Sequence, residues 1–387
     1  MRPRRLLYGT TIGTSTDNFL RDQLKHFANS GWEVHVACSP DDAFWRAQER
    51  EGFVPHAIPM QRDIAPHRDL VALFRWLVVL IRVRPYCVNV GTPKAGLLGA
   101  IAARLTRVPI RIYTVRGLRY ETVSGTRKRL LMLMEKITLR CSTVAVAVSP
   151  SVREAMLADG LDFRPIAVIG DGSSNGVSLE PPPETFTKEQ LGLDPNSFVV
   201  GFVGRPDHDK GADVLLDALH RLRNVSEIQL LAVGSEFDEQ HVSALPRMPI
   251  STGWVESALP YYGAMDVLCL PSRREGFPNV VLEAASQGVA VITTDVTGAK
   301  DSLVHGVTGI QVPVDAPDCL ATAITTLQND PEQLATLGRQ ARDRVHAKFT
   351  RSRIWDGLAS IYAGSPTSDV SFQSSNARDP GHVSKGR

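Results

Sequence analysis

Short apolar runs alternate with longer stretches in which apolar residues recur every three or four positions. The first pattern predicts buried strands, and the second predicts helices lying against them. In the first half the runs place strands at Arg5–Thr10, Glu33–Cys38, Val54–Ile58, Tyr86–Val90, Ile110–Val115, Thr143–Val148 and Ile166–Ile169. Helices are expected at Asp17–Asn29, His67–Val83, Ala95–Thr106, Thr126–Arg140 and Pro150–Ala158. Asp17 suits an N-cap, and Gly31 follows the end of that first helix. The alternation then breaks. Gly170-Asp171-Gly172-Ser173-Ser174-Asn175-Gly176 is turn chemistry, and Pro181-Pro182-Pro183 continues neither a helix nor a central strand.

Beyond the break the pattern restarts with strands at Phe198–Val203, Ile228–Val233, Pro249–Thr252, Val267–Leu270 and Ala290–Thr293. Helices are expected at Ala212–Leu222, Ser257–Ala264, Pro278–Gln287, Pro317–Gln328, Pro331–Lys348 and Arg351–Ala363. Strands alternating with helices argue for parallel sheets covered on both faces. The reading is α/β, with two doubly wound domains at 1–172 and 173–350 and a ligand crevice between them. Residues 351–364 form a last helix, and the Ser- and Gly-rich segment 365–387 reads as a disordered tail.

Length and composition fit this division. At 387 residues and 43% hydrophobic content, the chain can fill two cores. Its five cysteines, Cys38, Cys87, Cys141, Cys269 and Cys319, form no C-x-x-C pair, and four stand in or beside apolar runs. Reduced, buried thiols are therefore expected, without a structural zinc. No run approaches the ~20 apolar residues of a spanning helix. The basic start, Met1 to Gly9, lacks the apolar core of a secretion signal, so a cytoplasmic protein is expected.

Charge changes the picture more. The net charge is only +2, yet residues 1–172 carry +10 and residues 173–387 carry −8. The first domain is thus expected to face an anion. Aromatics make up 6% of the chain and do not interleave with the bases, which argues against nucleic acid. An anionic membrane surface or a phosphate-bearing acceptor fits better.

Two loops carry candidate chemistry. Pro271-Ser272-Arg273-Arg274-Glu275-Gly276-Phe277-Pro278-Asn279-Val280-Val281-Leu282-Glu283 follows a strand and opens a helix, with Pro278 suited to its first position. The N–H groups of Asn279, Val280 and Val281 then offer a phosphate site at the helix start. Glu283, one turn inside, suits the two hydroxyls of a ribose, and Glu275 points to whatever hangs from the phosphate. The second loop, Gly201-Phe202-Val203-Gly204-Arg205-Pro206-Asp207-His208-Asp209-Lys210-Gly211, is neither a P-loop nor a dinucleotide fingerprint. Its Arg205 and Lys210 suit a leaving diphosphate, whereas Asp207 and Asp209 spell a weak D-x-D metal signal. No metal and no cofactor are assigned.

Together, G-R-x4-K-G and E-G-F-P-N-x3-E resemble the retaining glycosyltransferases of family 4, with the E-x7-E spacing met by Glu275 and Glu283. The resemblance spans residues ~5 to ~363 and is supported by Asn175-Gly176-Val177, Gly253-Trp254-Val255, Pro271-Ser272 and Thr308-Gly309. Thr92-Pro93-Lys94-Ala95-Gly96 and Tyr113-Thr114-Val115-Arg116-Gly117-Leu118 resemble bacterial capsule, O-antigen and exopolysaccharide enzymes.

That resemblance implies the GT-B fold, with the C-terminal helix crossing back to the first domain. It implies a hexosyltransferase moving a sugar from a nucleotide diphosphate sugar, such as a UDP-sugar, to a polyprenyl-pyrophosphate-linked saccharide. The work would be done peripherally at the inner face of the membrane.

Carried over by residue, Arg205 and Lys210 meet the diphosphate, Glu283 the ribose, and Glu275 with Gly276 and Phe277 the transferred sugar. Gly13 and Gly204 approach the phosphates, and Trp254 and Val255 the base. Arg116, Arg119 and Lys94 are acceptor candidates. Arg116 stands where many relatives carry a His, and Ser178 where an Asp often follows N-G-V. A GT-B nucleotide-sugar epimerase and a non-catalytic nucleotide-sugar binder are the rival readings.

Overall fold

The computed structural model describes residues 4–372, except 62, 226, 235, 238–241, 244 and 246. Two parallel sheets form its frame. The first takes β1 (Arg4–Gly9), β2 (Trp32–Cys38), β3 (Val54–Ala57), β4 (Cys87–Val90), β5 (Ile110–Val115), β6 (Val144–Ala147) and β7 (Ile166–Ile169) in the order 3-2-1-4-5-6-7. The second takes β8 (Phe198–Val203), β9 (Ile228–Val233), β10 (Ile250–Ser251), β11 (Val267–Leu270), β12 (Ala290–Thr294) and β13 (Ile310–Val312) in the order 10-9-8-11-12-13. Both orders reverse beside their first strand. The reversal leaves a crevice outside the carboxyl ends of β1 and β4, and another outside those of β8 and β11.

Helices cover both faces of each sheet. On one face of the first sheet lie α4 (Pro66–Val83), α5 (Pro93–Leu105), α6 (Gly125–Cys141) and α7 (Pro150–Ala158), whose Trp76, Leu98, Leu139 and Val152 fill one core. The opposite face is covered by α2 (Gln23–Asn29) and α3 (Asp42–Glu51), which follow the short α1 (Gly13–Phe19). In the second sheet α8 (Ala212–Arg221) packs on one face, and α9 (Asn279–Ser286) with the short α10 (Ala299–Ser302) on the other. Then α11 (Pro317–Asn329) and α12 (Pro331–Lys348) close the second domain. Last, α13 (Arg351–Tyr362) returns to the first, where Ile354, Leu358 and Tyr362 join the core beneath α2 and α3. Tyr362 fixes the return, its hydroxyl lying 2.9 Å from that of Tyr8 and 2.8 Å from Nδ2 of Asn89.

Several local expectations need correction. The helix expected over Asp17–Asn29 is two helices, because Asp22 takes a left-handed conformation (φ 64°) and turns the chain. Asp17 is no N-cap; it lies buried in α1, paired with Arg50 at 2.6 Å. Residues Leu259–Ala264 form a 3-10 rather than an α-helix. Pro278 is the N-cap of α9, one residue outside the expected place. Helix α3 escaped the pattern reading, although Asp41 caps it by accepting from Phe44 N at 2.9 Å. Of the cysteines, Cys38, Cys87 and Cys269 are buried, but Cys141 is half-buried and Cys319 exposed on α11. The expected tail begins with structure, since β14 (Val370–Phe372) pairs antiparallel with β7 and covers that sheet edge. Residues 373–387 lie outside the described residues, as does Arg2.

Candidate active site

The two loops singled out in the sequence meet at the carboxyl ends of β8 and β11. Gly204 holds φ 137°, a conformation open to glycine, and turns the chain out of β8. The next residues form a single 3-10 turn over His208–Lys210, capped by Asp207, which accepts from Lys210 N at 3.2 Å. Arg273 locks the two loops together: its N–H donates to Asp209 O, and its guanidinium spans Asp213 and Asp315 at 2.7 and 2.6 Å.

This frame brings Lys210 Nζ to 2.6 Å from Glu275 Oε1, which also accepts from Ser272 Oγ at 2.7 Å. The acid expected at the sugar and the cation expected at the diphosphate are thus direct partners. Arg205 is largely exposed and pairs with Asp207 at 3.0 Å, while Asp209 pairs with Arg274. Both carboxylates of the D-x-D are therefore engaged by arginines. Among the described residues no group of three His, Cys, Asp or Glu is placed to hold a metal.

Helix α9 starts beside this pair. Val281 N donates to Pro278 O at 3.1 Å, so the first-turn amides aimed outward are those of Asn279 and Val280. One turn inside, Glu283 Oε2 accepts from the Tyr262 hydroxyl at 3.0 Å. Burial pushes its carboxyl up from the ordinary range, and Tyr262, Arg351 and Arg21 offset only part of that. Phe277 points away into a small core with Val148, Val177 and Phe349, whose ring lies 5.4 Å off. It therefore anchors the loop by its side chain. Val255 is half-buried, and Trp254 stands exposed with the Arg46 guanidinium of α3 5.1 Å from its ring centroid.

The first domain closes over these groups. A Cβ at Gly276 would overlap the Arg116 carbonyl, so the chains cross there backbone to backbone. Ser151 Oγ accepts from Gly298 N at 2.7 Å, and Thr297 Oγ1 donates to Glu121 at 2.9 Å. Asn175, on the segment joining the two sheets, donates to Arg21 O and accepts from Gln23 and from Trp355 Nε1 of α13. The amide of Gly13, expected at the phosphates, donates to Asp41 Oδ2 at 2.9 Å. Lys94 is buried and paired with Asp69 at 2.7 Å, which makes it a structural cation of the α4–α5 contact. Arg119 is half-buried. Arg116 lies in the crevice at the end of β5, bonded to Ser174 and to Gly91 O.

Sequence reasoning did not find Tyr262, Asp41 or Ser272 in these roles. Ser272 had a signal, the Pro271-Ser272 pair next to the strand end. Tyr262 had none, because a buried tyrosine before a strand reads as core.

Lys210 paired with Glu275 beside the start of α9, and Glu283 one turn further in, lie beneath a second Rossmann-like domain, the two-domain arrangement of the GT-B fold. The comparisons agree. Residues 197–330 match the family model of glycosyl transferases group 1, and residues 16–172 match a glycosyl transferase 4-like domain. CapM of Staphylococcus aureus, a capsular polysaccharide biosynthesis glycosyltransferase, is 36% identical over 94% of this chain and 97% of its own length. The Escherichia coli UDP-Gal:α-D-GlcNAc-diphosphoundecaprenol α-1,3-galactosyltransferase is 25% identical over 86% of this chain and 89% of its own. Anabaena HepE, solved with UDP-glucose, superposes with a TM-score of 0.78 at 22% identity, covering 93% of this chain and 99% of its own. The chain belongs to the group 1 glycosyltransferases, and it is a hexosyltransferase of the GT-B fold.

Proposed function

We propose that this chain is a retaining glycosyltransferase of capsule-type polysaccharide assembly, moving a sugar from a UDP-sugar to a polyprenyl-diphosphate-linked saccharide. The observation that carries the reading is the Lys210–Glu275–Ser272 cluster beside the start of α9, with Glu283 one turn further in. The S. aureus relative's capsular role and the E. coli relative's UDP-Gal donor and diphosphoundecaprenol acceptor support it.

Lys210 and the amides of Asn279 and Val280 bind the diphosphate, Glu283 the ribose, and Glu275 with the Gly276 amide the sugar. The bond from the anomeric carbon to the diphosphate breaks while the acceptor oxygen bonds to the same face. The acceptor proton passes to the departing phosphate oxygen. Catalysis then rests on positioning and on stabilising charge that grows on the diphosphate.

Mass spectrometry of membrane extract incubated with the protein and a panel of nucleotide sugars tests this. A lipid-linked saccharide heavier by one sugar, with an α-linkage from an α-donor, is expected. An altered sugar without acceptor would mark an epimerase, and donor binding without turnover would mark a binding protein. Turnover is expected to survive excess EDTA, because Lys210 and the helix start already supply positive potential. Loss of activity restored by Mg²⁺ or Mn²⁺ would make Asp207 and Asp209 ligands after all.

The first domain is proposed to rest on an anionic membrane surface. No described helix is long and apolar enough to cross a membrane. Leu70, Phe74 and Ile81 of α4 are nevertheless 69%, 66% and 59% exposed. At 100° per residue they share an arc of about 40°. Exposed Arg68, Arg75 and Arg82 form a second row on the same helix about 120° further round, and Arg127 and Arg129 of α6 are exposed as well. Each base near such a surface contributes ~1 kcal/mol and is screened by salt. Co-sedimentation with anionic vesicles should therefore fall steeply in high salt, and equal binding to neutral vesicles would remove the electrostatic part.

A further inference from the structure

Arg116 is unlike the other crevice cations. Lys210, Arg205, Lys94, Arg21 and Arg351 each pair with a carboxylate. The Arg116 guanidinium has none among the described residues. Its Nε donates to Ser174 Oγ at 2.7 Å, its Nη1 to Gly91 O at 2.9 Å, and it lies 5.2 Å from the centre of the Phe19 ring. Those partners are neutral, and Nη2 has no protein acceptor among the described residues. Burial pushes this arginine down to about 10, with only the hydroxyls of Tyr362, Tyr8 and Tyr113 to offset it. Half-buried and without a counter-ion, this cation carries part of the desolvation cost of a buried charge.

The chain nonetheless builds a seat for it. Gly91 does not hold a left-handed φ, so its backbone does not call for glycine. A Cβ there would overlap Nη1 of Arg116, so glycine at 91 makes room for the guanidinium. The seat stands at the carboxyl ends of β4 and β5, on the switch-point side of the first sheet. It is anchored to the first domain and the linker, not to the second-domain groups around Lys210.

We propose that Arg116 receives an oxyanion of a substrate on the first-domain side of the crevice, separate from the donor diphosphate. The inference deepens the glycosyltransferase reading and rests on it. A guanidinium with free donors meets a carboxylate or a phosphate through charge-assisted, paired hydrogen bonds. The anion has two possible sources, a carboxylate on the transferred sugar or a phosphate of the acceptor.

Calorimetric titration of wild type, Arg116→Gln and Arg116→Lys with four probes tests this. The probes are UDP, UDP-glucose, UDP-glucuronate, and inorganic pyrophosphate added to the UDP-saturated protein. UDP should bind all three proteins within about twofold. A charge-assisted contact corresponds to about ten- to a hundredfold in affinity. Arg116→Gln should therefore lose that much for one anionic probe, with Arg116→Lys in between. Loss confined to UDP-glucuronate assigns the anion to the sugar, and loss confined to pyrophosphate assigns it to the acceptor.

Ligand-free Arg116→Gln should melt at or above the wild-type temperature, since a half-buried charge without a counter-ion is gone. Unchanged affinity for both anionic probes, an equal loss for UDP, or a clear fall in melting temperature would each overturn the proposal. The function reading fails separately, by absence of UDP binding and of sugar transfer in wild type.

Discussion

Lys210→Ala is expected to lower turnover about 10²–10³-fold, with a smaller loss of UDP affinity. That is the size of effect seen when a donor aimed at developing charge is removed. Diphosphate charge grows as the anomeric bond breaks, so a cation beside it counts more in the transition state than in the ground state. Lys210 already holds one anion, Glu275, at 2.6 Å. Its removal leaves a nearly buried carboxylate with only Ser272 Oγ as a donor. Breaking a fully buried pair costs about 3–5 kcal/mol. The loss here should be smaller, because Lys210 is 26% exposed. Some stability will fall nonetheless, and it must be separated from catalysis.

The double variant Lys210→Ala/Glu275→Gln makes that separation, because it removes both charges together. Its melting temperature should recover towards wild type while its turnover stays low. Glu275→Ala alone should misplace the sugar, lowering turnover more than nucleotide affinity. Steady-state kinetics beside thermal denaturation reads all three. If the double variant turns over as fast as Glu275→Gln alone, Lys210 is a structural partner and the diphosphate assignment is wrong.

The pairing of Lys210 with Glu275 shows where sequence reasoning stops. Each residue was legible in its own loop, because glycines, prolines and a strand–loop–helix pattern are local signals. Their separation of 65 residues hides the contact, which exists only because β8 and β11 are neighbours. The same limit applies to Gly13, whose amide looked free until Asp41, 28 residues on, took it. It applies to Lys94 as well, which read as an acceptor cation and is held by Asp69. The strands were legible because each is a continuous apolar run in a sheet covered on both faces. Helix α3 was not, because its second half, Gln48-Glu49-Arg50-Glu51, carries no apolar position and Trp45 in its first half is exposed. The break between α1 and α2 depends on a left-handed Asp22, which no composition signal marks. What can be read is local chemistry, and what cannot is which local chemistries the topology brings together.

Glu283→Ala should weaken UDP about ten- to a hundredfold while changing turnover at saturating donor much less. Ribose contacts are alike in ground and transition states, so losing them lowers affinity rather than the chemical step. A hydrogen bond to a charged group contributes about 1.5–3 kcal/mol, which sets the range. The structure adds a second consequence. Burial pushes the Glu283 carboxyl up, and Tyr262 donates to only one of its oxygens. A carboxyl raised in the folded protein favours folding below its unfolded pKa, and that contribution is lost as pH rises through the folded value. Once ionised, the side chain therefore works against the ligand-free fold. Glu283→Gln keeps an oxygen for the Tyr262 hydroxyl and removes the charge. It should raise the melting temperature of the ligand-free protein, more at pH 8 than at pH 5, while still weakening UDP. Calorimetric titration with UDP and melting curves at the two pH values check both halves. Wild-type UDP affinity in Glu283→Ala would remove the ribose assignment, and a lower melting temperature in Glu283→Gln at pH 8 would show that the carboxylate supports the fold.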